Sequence, residues 1–182
     1  MTREFLADFL QLGIISPDML FFFNSLHAGA SVNHIHFQSV ARTQMLPLER
    51  AIAASECICY GPASLLKDYP ARTAIFPRDI GIEELFPYID RLQRSEPPTP
   101  FNLLSLGDWV GVLPRNLDNE ILAEMSGGAM SAMEMAGKFI TSNSANYDFL
   151  VGADLKTLAA LYAQASLPQP QLEAWLDLSA SL

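Results

Sequence analysis

All three histidines of the chain, His27, His34 and His36, fall within ten residues, in a stretch whose pattern admits few folds. Met19 to Phe23 is an unbroken apolar run and reads as a buried strand. Asn24 to Asn33 (NSLHAGASVN) is small and polar, the composition of a loop. His34 to Ala41 then alternates, which predicts a second strand and makes 19–41 a hairpin with a wide loop. On such a strand His34, His36 and Gln38 share one face while Ile35 and Phe37 enter the core. The Gly29-Ala30-Ser31 run offers unhindered backbone N–H groups, a suitable cradle for phosphate oxygens.

Those residue types point to phosphoryl chemistry. A neutral imidazole is a good nucleophile toward phosphorus near neutral pH. Gln38 has no useful proton to exchange, but its NH2 can hold a non-bridging phosphate oxygen. The arrangement suits nucleotidyl transfer through a covalent histidine intermediate better than hydrolysis, which profits from a third ionisable group. A bare His-x-His pair also reads as a metal half-site or as two residues on a solvated face. The complete G-x-S-x-x-H-x-H-x-Q pattern, with Asn24-Ser25 upstream, favours the functional reading.

The rest of the chain reads as helices around hairpins. Thr2 caps a helix over 3–12 that Gly13 ends, and Ser16-Pro17-Asp18 turns the chain. Pro47 opens a helix over 47–55, with short strands at 56–60 and 71–76. Gly81 to Arg94 is an amphipathic helix. Ser95 to Pro100 is a stiff connector between a histidine-bearing part, 1–94, and a second part, 101–182, expected to pack with it. Phe101–Leu106 and Trp109–Leu113 flank Gly107-Asp108, a tight-hairpin signal. Residues 153–165 and 169–181 read as a closing helical pair. The expected class is α+β with an antiparallel sheet and flanking helices.

Composition narrows the function further. Eleven basic against twenty acidic residues give −9, a poor footing for nucleic acid or an anionic membrane. Residues 1–94 carry −2 and 95–182 carry −7, so an anionic ligand is expected on the first part. Cys57 and Cys59 are too few for a disulfide framework or a closed zinc site, and read as reduced, buried thiols. Neither a signal segment nor an apolar run of membrane-spanning length is visible, so a soluble, cytoplasmic chain is expected. Arg42 and Arg115, at strand ends, could meet a phosphate but read first as solvated. His27 lies in the loop within reach of a ligand. Glu134, between Met133 and Met135, reads as a carboxylate at the edge of a methionine-filled core. Asp108 reads as a turn residue, and Trp109 and Trp175 as core or interface.

The motif resembles that of the transferase branch of the histidine-triad superfamily, which holds galactose-1-phosphate uridylyltransferase, the diadenosine tetraphosphate phosphorylases and the GDP-L-galactose phosphorylases. FFFNSLHAGASVNHIHFQ looks most like the last group. LLKDYPARTAIF (65–76), PFNLLSLGDWVGVLPR (100–115) and Met-Glu-Met-Ala-Gly at 133–137 follow in the family's order. The resemblance implies a histidine-triad-like fold matching the C-terminal part of those longer enzymes. It makes His36 the nucleophile on the α-phosphorus, Gln38 the ligand of the transferred phosphoryl group, and His34 the residue that orients His36 through its carbonyl. Asn24, Ser25, Gly29, Ala30 and Ser31 would line the phosphate site, with Asn33 behind them. The implied substrates are a nucleotide sugar (GDP-hexose foremost) or a dinucleoside polyphosphate, with inorganic phosphate and without metal or cofactor. The family's N-terminal half has no counterpart here. Three explanations fit: a homodimer completes the pocket, a partner chain does, or the chain keeps the motif without turnover.

Overall fold

The computed structural model describes residues 1–125 and 128–177. Helix α1 (Arg3–Ile15) leads into β1 (Met19–Asn24) and β2 (Gln38–Ala41), and α2 (Pro47–Ala54) precedes β3 (Cys57–Tyr60), β4 (Ala63–Leu66) and β5 (Ala74–Pro77). Helix α3 (Ile82–Arg94) is followed by the hairpin β6 (Phe101–Leu106) and β7 (Trp109–Pro114), then by α4 (Ala132–Met135), α5 (Ser144–Gly152), α6 (Leu155–Ala165) and α7 (Gln169–Leu176). The strands form one antiparallel sheet in the order β2-β1-β6-β7-β5-β4-β3. The class is α+β. No helix of the described residues is long and apolar enough to cross a membrane.

Both faces of the sheet are covered, which explains why β1 reads as an apolar run rather than as an alternating strand. On one face Phe21, Phe23, Phe76, Leu103 and Val112 pack against Leu6 and Phe9 of α1, Leu85 and Ile89 of α3, and Trp175 of α7. On the other, Leu20, Phe22, Ile75, Leu104 and Leu113 meet Leu48 of α2, Met133 of α4 and Leu161 of α6. Each fully buried Leu, Ile or Phe in these layers is worth about 1.5–3 kcal/mol over its exposed state.

Several local expectations need correction. Thr2 caps α1, its hydroxyl accepting from the Phe5 amide at 3.2 Å. The helix does not stop at Gly13. A Cβ there would lie 3.3 Å from Ser105 Cβ, so the glycine serves close helix–sheet packing. The end comes at Ser16, because a residue before proline avoids the helical region. Strand β4 and helix α5 were not foreseen. The first is four residues without alternation, and the second scatters its apolar residues around the helix. Residues 71–73 precede β5 rather than join it, and α6 starts at Leu155 behind the Asp154 cap. Of the helix expected over 169–181, positions 178–181 lie outside the described residues. Cys57 and Cys59 are free, but on edge strand β3 the first is half-buried and the second exposed, not buried as expected.

The largest correction concerns the motif strand. Only Gln38–Ala41 pairs with β1, in the register Phe22↔Gln38. Past Phe22, strand β1 continues against β6 instead. Phe37 swings onto α1, its ring 4.2 Å from that of Phe5 and 5.3 Å from that of Phe9. His34 to Phe37 therefore leave the ladder, and Ile35 is 42% exposed rather than in the core.

Candidate phosphoryl-binding site

The end of the sheet where β1 finishes and β2 and β6 begin carries the candidate site. His36 is half-buried and His34 exposed, with ring centroids 4.9 Å apart. Although off the ladder, His36 is oriented locally: its Nδ1 lies 3.0 Å from the His34 carbonyl oxygen. A carbonyl only accepts, so Nδ1 carries a proton, and in the neutral ring the lone pair is on Nε2.

The loop ahead of the histidines is pinned at its base and open at its tip. The Ser25 amide donates to the Phe101 carbonyl at 3.0 Å, and the Ser25 hydroxyl accepts from the Phe101 amide at 2.8 Å. Ser25 thus ties the loop to β6. Gly29 has φ of +84° and sits so close to Ser131 that a Cβ would lie 2.8 Å from its Cα. Only glycine fits that position. Among the described residues, the amides of Gly29, Ala30 and Ser31 donate to no protein acceptor. Ser31 and Asn33 are exposed on the same loop. His27, with φ of +62°, pairs with Glu120 through Nδ1 at 2.8 Å.

Beneath this loop runs a buried polar seam. Asn24 and Asn102 face each other across β1 and β6, and the Asn102 side chain donates to Asn24 Oδ1 and to the Ala28 carbonyl, both at 2.8 Å. Asn24 Oδ1 also accepts from the Ala132 amide at 2.9 Å, and Asn24 Nδ2 donates to Gln38 Oε1 at 3.2 Å. Behind Asn102 lies Arg115, only 1% exposed. Its Nη1 donates to Asn102 Oδ1 at 2.7 Å and to the Met130 carbonyl, and its Nε donates to the Ala165 carbonyl at 2.9 Å. Burial pushes the guanidinium down to about 10, with the Glu134 and Glu120 carboxylates opposing the shift, so it is charged at neutral pH.

The arginines thus differ from expectation. Arg115 is engaged inside the protein, and Arg42 is paired with the buried carboxylate of Glu49; neither is simply solvated. Glu134 is buried and fully engaged at the start of α4. It accepts from the Ser131 amide at 3.0 Å, the Ser131 hydroxyl and the Ile140 amide at 3.1 Å, capping α4. Tyr162 and Tyr69 donate to the carbonyls of Glu134 and Met135 at 3.0 and 2.9 Å, which fixes α4 behind the loop. Asn102 was not foreseen. Its signal was an amide inside an apolar strand, FNLLSL, where a buried polar group needs a partner.

On the far side of the loop lies a cavity of about 770 Å³, walled by Leu26, Val32 and Ile35 opposite Pro97, Pro98 and Pro100, with Asn33 and His34 among its lining. His36 and Gln38 lie outside that lining.

No family model matches the chain. In sequence it is 26% identical over 166 residues to GDP-L-galactose phosphorylase 1 of Arabidopsis thaliana, covering 83% of this chain and 36% of that protein. In structure it is similar to yeast Ap4A phosphorylase Apa2. Against the AMP complex the TM-score is 0.64 at 14% identity, over 92% of this chain and 64% of that one. Against the Ap4A complex it is 0.63 at 12% identity. The chain therefore spans about a third of the length of the curated relative and just under two thirds of the solved one. With those comparisons beside the motif and the sheet, the chain has a histidine-triad-like fold and resembles the phosphorylase members of that superfamily.

Proposed function

We propose that the chain catalyses nucleotidyl transfer, cleaving a nucleotide sugar, GDP-hexose foremost, with inorganic phosphate through a nucleotidyl-His36 intermediate. The observation that supports this reading is the His36 Nδ1 contact to the His34 carbonyl, which in the neutral ring leaves the lone pair on Nε2. In the first step Nε2 attacks the α-phosphorus, an N–P bond forms, and the bond to the leaving phosphate oxygen breaks. In the second, an oxygen of inorganic phosphate attacks the same phosphorus, the N–P bond breaks, and a nucleoside diphosphate leaves. Gln38 Nε2 and the free amides of Gly29, Ala30 and Ser31 would meet the charge that develops on the non-bridging oxygens. The apolar cavity beside His34 would take a flat base, with Asn33 at its rim. Ser25 and Asn24 would serve by holding the loop and Gln38.

The similarity to a solved Ap4A phosphorylase favours a second reading with the same chemistry, in which a dinucleoside polyphosphate is the donor and a nucleotide the leaving group. Intact-protein mass spectrometry separates the two. The chain is incubated with GDP-, ADP- and UDP-hexoses and with Ap4A, each without phosphate. A nucleoside-monophosphate adduct from one sugar donor supports the first reading and its mass names the base; an adduct from Ap4A alone supports the second. No adduct from any donor on folded protein overturns both.

A further inference from the structure

We propose that Arg115 and Asn102 are positioning residues that fix which end of the Gln38 amide faces the phosphoryl group, by passing a single hydrogen-bond direction through the buried seam. This rests on the nucleotidyl-transfer reading.

An amide side chain can turn end over end, and Gln38 would then present a carbonyl to a phosphate oxygen, which repels it. Gln38 cannot set its own direction; its neighbours must. Arg115 has donors and no acceptor, so the Asn102 oxygen is the end that turns toward it, at 2.7 Å. The Asn102 NH2 is thereby directed forward, to Asn24 Oδ1 and the Ala28 carbonyl. Asn24 Oδ1 is fixed a second time by the Ala132 amide. The Asn24 NH2 must then donate to Gln38 Oε1, and Gln38 Nε2 is left facing outward. From Arg115 to Asn24 the links are buried, where low dielectric lets each strengthen the next; the last, to the exposed Gln38, is partly buried. Neither Arg115 nor Asn102 belongs to the motif that carries the chemistry.

The test has two arms, both on the full chain. In isotopically labelled wild type without ligand, scalar couplings across the hydrogen bonds are expected from Asn102 Nδ2 to Asn24 Cγ and from Asn24 Nδ2 to Gln38 Cδ. Couplings in the reverse direction, or none, overturn the proposal. In the second arm Asn102→Asp still accepts from Arg115 but cannot donate, while Arg115→Lys keeps a donor-only group. For Asn102→Asp, kcat for transfer is expected to fall about 10- to 100-fold, part of the loss seen on removing a transition-state donor outright. KM for the donor nucleotide should stay within about twofold, and Arg115→Lys should restore most of kcat relative to Arg115→Met. A folded Asn102→Asp protein with wild-type kcat overturns the proposal, and so does a loss of kcat that only tracks thermal stability across all three variants. If wild type shows no transfer, the function reading fails, and the coupling arm still decides the seam.

Discussion

Residues 29–36 and the seam formed by Arg115, Asn102 and Asn24 lie against one another but are built in opposite ways. The loop is exposed or half-exposed, keeps three consecutive amides unspent, and fixes His36 through a single bond to the carbonyl two residues back. The seam is buried, and Arg115, Asn102 and Asn24 draw their partners from β1, β6, α4 and the end of α6. One region leaves its hydrogen-bonding capacity open; the other spends it on its neighbours. The proposed phosphoryl site would need both, since donors aimed at an incoming phosphate must be unpaired yet held still.

If the two regions divide labour in this way, substitutions in them should separate stability from chemistry. The largest stability effect is expected for Arg115→Ala. It leaves a cavity and strands two carbonyls and the Asn102 oxygen, each orphan costing about 1–3 kcal/mol. A total of about 3–5 kcal/mol should appear in urea unfolding. His36→Gln, by contrast, should move stability by less than about 0.5 kcal/mol and abolish transfer. If the two variants lose equal stability, the division fails.

Gly29→Ala tests the contact between the regions. Its positive φ and the approach to Ser131 predict a loss of about 1–3 kcal/mol, together with weaker phosphate binding by calorimetry. Tyr162 sharpens the seam's side of the contrast through pH. Burial pushes its hydroxyl up to about 12, so the folded state holds the proton longer than the unfolded one. That contribution is complete below pH 10 and is lost as pH rises from 10 through 12. Tyr162→Phe should be less stable than wild type at pH 8, by about 1–2 kcal/mol for the unpaired Glu134 carbonyl. The gap should narrow above pH 10 in thermal melts. The smallest effect is expected at the exposed His27–Glu120 pair, where His27→Ala should cost no more than about 0.5 kcal/mol.

The same contrast explains what was legible beforehand. His34, His36, Gln38 and the Gly-Ala-Ser run are contiguous, so spacing alone brings them together, and the G-D hairpin at 107–108 follows from local turn chemistry. Asn24, Asn102, Arg115 and Ala132 are scattered over more than a hundred positions; the β1–β6 register brings the first two together, and the residue after β7 and the start of α4 supply the others. Arg115 read as a strand-end cation because sequence carries no sign of the Met130 and Ala165 carbonyls waiting for it. Alternation over 34–41 overstated the strand, since the pull of Phe5 and Phe9 on Phe37 is a tertiary effect.

The most direct test of the account is to map the adduct formed from a nucleotide donor to a single residue, by tandem mass spectrometry of wild type and His36→Gln. A nucleoside monophosphate on His36 of wild type, removed by added phosphate and absent from the variant, is the predicted result. An adduct on His34 or His27, or one that persists in His36→Gln, would contradict it.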